Sequence, residues 1–77
     1  MAGRSRIFSD YNVEIYAESR FLGTRLVVNF DRGAHFESFV EYEITKAQSQ
    51  RIQTSEESAW AVIDELLDGP KKPIRRG

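Results

Sequence analysis

A chain of 77 residues with 40% hydrophobic side chains and no cysteine has room for one domain with a thin core, because a polypeptide this short buries only about 60% of its unfolded surface. The composition excludes a disulfide framework, a thiolate metal site and a disordered chain. The net charge of −1 hides a division: residues 7–70 hold five basic side chains against all twelve carboxylates, a local net of −7, and the remaining six positive charges lie at the two ends.

No apolar run approaches the roughly 20 residues that span a bilayer. The basic start gives way at Ile7-Phe8 to Ser9-Asp10, without the apolar core of a signal peptide. The expectation is a cytoplasmic protein with no membrane contact, divided into a basic N-terminal segment 1–10, a single domain 11–70 and a basic tail 71–77.

Residues Tyr11 to Glu18 alternate, with Tyr11, Val13, Ile15 and Ala17 on one side and Asn12, Glu14, Tyr16 and Glu18 on the other, the pattern of a half-buried strand. A second strand is predicted from Thr24 to Asp31, turning Leu26, Val28 and Phe30 inward. Gly23 helps the turn between them. Phe21 and Leu22, just before it, are expected to close the end of the core, since so small a core needs its large side chains. Gly33 suits the next turn, and a third strand returns with Phe36, Ser38, Val40, Tyr42 and Ile44 inward. Lys46 to Gln53 is polar apart from Ala47 and Ile52, which predicts a loop with a short fourth strand ending near Ile52.

Thr54-Ser55-Glu56-Glu57 has capping-box spacing and starts a predicted helix. Ala59, Trp60, Ile63, Leu66 and Leu67 fall on one arc, with Val62 at its border. Gly69, in a left-handed position, and Pro70 end it. The fold class is therefore α+β: a three-stranded antiparallel sheet with one C-terminal helix covering one face.

Centring the second turn on Gly33 sets Phe30 opposite Phe36, Leu26 opposite Val40 and Val27 opposite Phe39. In the first hairpin Tyr16 faces Val27 and Glu18 faces Arg25, which in turn faces Glu41. Tyr16, Val27 and Phe39 then form an apolar row on the solvent face, surrounded by Glu14, Glu18, Arg25, Glu37, Glu41 and Glu43. This is the expected partner-binding site.

Chemistry is sparse. His35 is the sole histidine and reads as an exposed turn residue, without ligands for a transition metal. The carboxylates alternate with apolar residues rather than forming a calcium loop, and the five glycines are too scattered to cradle phosphate. No metal, cofactor or enzymatic activity is expected. In layout, three strands followed by a Thr-x-x-Glu-capped helix resemble the AP2-type and integrase arm-binding domains, which read DNA with their sheet. Here the exposed strand positions are mainly glutamates, which repel a phosphate backbone.

These features predict a small non-enzymatic protein-binding or regulatory protein, monomeric or homodimeric, whose acidic, aromatic-centred sheet face meets a partner with a basic surface. A sharper form is an inhibitor of the kind phages encode, presenting carboxylates where phosphates would sit. The competing reading is a nucleic-acid-associated module acting through Arg4, Arg6, Lys71, Lys72, Arg75 and Arg76.

Overall fold

The computed structural model describes residues 3–31 and 39–77. Along them run β1 (Arg4–Asp10), β2 (Val13–Arg20), β3 (Gly23–Asp31), β4 (Phe39–Ile44), α1 (Lys46–Thr54), α2 (Glu56–Asp68) and β5 (Arg75–Arg76). The five strands form one antiparallel sheet in chain order. The expectation of three strands and one helix is thus corrected to five strands and two helices, and the likeness in layout to the AP2-type and integrase domains lapses with it.

Both ends of the chain enter the sheet as edge strands. The register shifts between Arg6, opposite Tyr16, and Phe8, opposite Ile15. This bulge puts Arg4 and Arg6 on the outer face and Phe8 against the core. A two-residue turn joins β1 to β2, with Tyr11 and Asn12 both at positive φ, 53° and 62°, as a type I′ hairpin requires. Tyr11 is therefore a turn residue rather than the start of a strand. Its ring lies 5.9 Å from that of Phe8 and packs on the core, which offsets the cost of a left-handed tyrosine.

The predicted inward phases hold in β2, β3 and β4. Val13, Ile15, Val28, Phe30, Val40, Tyr42 and Ile44 meet Ile52, Ala59, Val62, Ile63 and Leu66 in one cluster. At its centre the Phe30 ring stacks parallel to Tyr42 at 6.2 Å and meets Trp60 edge-on at 6.3 Å. The second hairpin takes a different register: Phe30 pairs with Val40, Leu26 with Ile44 and Val27 with Glu43. Every residue of β4 has slipped four places from the expected pairing. An even slip leaves inside and outside unchanged while replacing every neighbour. The expectations for Gly33, His35, Phe36, Glu37 and Ser38 lie outside the described residues.

The predicted loop and short strand at Lys46–Gln53 are instead helix α1. Thr45 caps it, its hydroxyl accepting from Gln48 N while Gln48 Oε1 accepts from Thr45 N, a capping box one helix earlier than expected. Only Ser49 and Ile52 of α1 are buried, so the segment has no apolar stripe. Thr54 is the last residue of α1, its hydroxyl donating back to Gln50 O at 2.8 Å. Ser55 ends α1 and caps α2, accepting from Ser58 N at 3.1 Å.

On α2 the buried face is Ala59, Val62, Ile63 and Leu66, with Trp60 at its margin and Leu67 40% exposed. The face is rotated toward Val62 relative to the expected arc. Gly69 has φ −83°, not the left-handed value expected. Since Ser55 serves two helices, Ser55→Ala should cost about 1 to 2 kcal/mol, read from urea denaturation. A loss under 0.3 kcal/mol would show that packing alone fixes the elbow.

Candidate functional site

The sheet face turned away from the helices carries Arg4, Arg6, Glu14, Tyr16, Glu18, Arg25, Val27, Asn29, Phe39, Glu41, Glu43 and Arg75, as strand pairing dictates. Here the basic ends meet the acidic middle. Glu41 is only 1% exposed and accepts from Arg4 on β1, from Asn29 Nδ2 on β3 at 2.7 Å, and from Arg75 Nη1 on β5 at 2.7 Å. Glu18, also buried, accepts from Arg4 Nη1 at 3.0 Å, Arg25 Nε at 2.8 Å and Arg75 Nη1 at 2.9 Å. The Arg4 guanidinium also covers the Tyr16 ring, 3.9 Å from its centroid, a cation–π contact.

Burial by itself would raise the Glu41 carboxyl, but the hydrogen bonds from Arg4, Asn29 and Arg75 outweigh it and hold the pKa down to about 2. Glu18 is lowered in the same way, with burial opposed by Arg75 and Arg25. Glu14 is lowered mainly by Arg6, whose Nη1 lies 2.9 Å away, and also accepts from the Tyr16 hydroxyl at 3.1 Å. These carboxylates are fixed as anions well below neutral pH. They have no proton to exchange near pH 7.

The expected apolar row is not assembled. Tyr16 stands opposite Val27 as predicted, but Val27 is flanked by Glu43 on β4 and is fully buried, while Phe39 pairs with Asp31 at the far end of the sheet. Arg25 reaches Glu18 as expected and lies 3.8 Å from Glu43 rather than facing Glu41, whose opposite residue is Asn29. Glu43 stays half exposed, and Glu37 lies outside the described residues. Of the basic terminal residues, Arg4, Arg6 and Arg75 are paired with carboxylates and Lys71 Nζ donates to the Glu43 carbonyl. Lys72 and Arg76 are exposed.

Phe21 and Leu22 occupy the two-residue turn between β2 and β3, where Arg20 pairs with Gly23. They do not close the core: Phe21 is 101% and Leu22 93% exposed. A two-residue turn at the tip of a hairpin points its side chains away from both faces of the sheet, and that spacing was readable from Arg20 and Gly23. Gly23 takes φ +138° with open space where a side chain would stand. Beside the turn lies an open depression of about 420 Å³, lined by Arg20, Thr24, Arg25 and Glu43 with the turn itself.

Among the described residues no group of three or more His, Cys, Asp or Glu side chains could hold a metal ion, and no helix is long and apolar enough to cross a membrane. Comparison with known protein families, curated proteins and solved structures finds no match to this chain.

Proposed function

We propose that this chain is a small non-enzymatic protein-binding module, regulatory or inhibitory toward its target, that makes contact through the β2–β3 turn. The observation that carries this reading is the full exposure of two adjacent large apolar side chains, Phe21 and Leu22, on a tight turn. Exposed apolar groups of this size mark contact sites. Burying both in a partner's cleft contributes about 1.5 to 3 kcal/mol each, and a rigid hairpin keeps the ordering cost of binding low.

The turn is favoured over the centre of the sheet because Val27 has no exposed area to offer, and Glu18 and Glu41 already hold arginines. A nucleic-acid contact through the ends is disfavoured because three of their six cations are paired within the protein. The arginine-locked carboxylates support a non-enzymatic role. The cysteine-free composition suits a reducing cytoplasm, and a monomer or a homodimer could present the turn.

Affinity capture from the cell that produces the protein tests this reading. The Phe21→Ser/Leu22→Ser variant, with stability within about 0.5 kcal/mol of wild type because both sites are solvated, should lose its partner at least a hundredfold. Phe39→Ala should retain it. Equal capture by the double variant would overturn the reading. So would salt-sensitive duplex DNA binding that Lys72→Glu/Arg76→Glu removes.

A further inference from the structure

We infer that the segment received by the β2–β3 turn is an acidic stretch of a partner protein, with an aliphatic or aromatic side chain against Phe21 and Leu22 and an adjacent carboxylate on Arg20. This rests on the turn being the contact surface and adds the chemistry of what it contacts.

Charge around the turn is lopsided in its availability. Arg20, at the base of the turn, is exposed, and among the described residues no hydrogen bond or salt bridge uses its side chain. Arg25, which also lines the depression, commits Nε to Glu18 and lies 3.8 Å from Glu43 through Nη1. A guanidinium carries five N–H donors, so Arg25 is not saturated by these two contacts. Lys46 opens α1 directly after β4, whose Ile44 pairs with Leu26, which places another exposed ammonium at this end of the sheet.

The acids nearby are fewer than the cations. Glu18 is buried under three arginines. Glu43 is the one carboxylate lining the depression, half exposed and 3.8 Å from Arg25. An incoming carboxylate therefore finds the side chains of Arg20 and Lys46 without an ion-pair partner among the described residues, against the single half-exposed acid Glu43. Arginine favours carboxylates through paired N–H donors in a planar fork. The open space at Gly23 lets a partner backbone approach closely.

A library of random dodecapeptides displayed on phage, selected on the wild-type protein, is the probe. Synthetic copies of the enriched peptides are then titrated by fluorescence anisotropy against wild type, Phe21→Ser/Leu22→Ser and Arg20→Glu. The expected peptides carry Asp or Glu beside an aliphatic or aromatic residue. They should bind the double variant and Arg20→Glu at least tenfold more weakly, and changing the peptide acid to lysine should recover affinity for Arg20→Glu. Peptides that need Phe21 and Leu22 but lack an acid, or ignore Arg20→Glu, overturn this inference and leave the turn as a contact site. Enriched peptides that bind the double variant as well as wild type overturn both. Binding to phosphatidylserine vesicles that requires Phe21 and Leu22, with no peptide selected, also overturns both, because the turn is then a lipid contact.

Discussion

Replacing Glu41 with alanine should lower the unfolding free energy by about 2 to 3 kcal/mol, a large fraction for a domain of this size. Removing one partner from a buried ion pair typically costs about 3 to 5 kcal/mol. The lower figure applies because Arg4 and Arg75 are partly exposed and can return to water, whereas Asn29 loses its acceptor in place. Thermal unfolding followed by circular dichroism should shift by roughly 10 to 20 °C. Glu41→Gln, which keeps an acceptor for Asn29 but not the charge, should fall between the two. A shift under 3 °C for Glu41→Ala would show that the cluster's Coulombic gain only matches its desolvation cost.

The same carboxylate sets the acid limb of stability. Its folded pKa of about 2 lies below the ordinary 4.5, so the folded state binds fewer protons and stability rises with pH across that interval. The contribution is complete above about pH 5 and disappears as pH falls toward 2, a change of roughly 2 to 3 kcal/mol. Glu14 and Glu18 are lowered too and act in the same direction. Urea midpoints at pH 7 and pH 3 should therefore differ less in Glu41→Ala than in wild type. An equal difference in both proteins would assign the acid limb to other carboxylates.

Removal of residues 71–77 should destabilise the domain by about 2 to 4 kcal/mol, far more than trimming an exposed tail. The deletion takes away β5, the Ile74 N to Glu41 O and Gly77 N to Phe39 O bonds, and both contacts of Arg75. Amide exchange along β4 should accelerate most, since its outer edge opens to water. Combined with Glu41→Ala, the deletion should cost less than the two separate losses together, because both remove the Arg75 contact. Strict additivity would show that β5 and the carboxylate act independently.

Strand phase was legible wherever apolar and polar residues alternate without interruption, as in Val13–Glu18 and Leu26–Phe30. No strand was expected over residues 1–10, where the bulge between Arg6 and Phe8 puts two even-numbered residues on opposite faces and breaks the alternation. Helix α1 escaped because a single aliphatic residue, Ile52, anchors it. Its one sequence signal was the Thr45-x-x-Gln48 box. The register of β3 against β4 could not be read, since slips of two or four residues all satisfy the same inside-outside pattern. For the outer face, sequence showed basic ends and an acidic middle, and charge attraction between them was foreseeable in kind. Which arginine meets which glutamate depends on that same register, so Glu18 and Glu41 read as surface anions sharing Arg25, without Arg4 or Arg75. Phe21 and Leu22 were misplaced because their hydrophobicity outweighed their position at a turn two residues long.

The course of the two edge strands gives the molecule a polarity. Gly3 accepts from Ser19 N near the Phe21-Leu22 turn, whereas Gly77 donates to Phe39 O at the opposite end of the sheet. Anything fused after Gly77 leaves the turn unobstructed and facing outward, like the head of a pin held by its point. Anything fused before Gly3 emerges next to the turn and competes for the same space. Anchoring through the C-terminal end should thus preserve recognition, and a bulky N-terminal fusion should mask it.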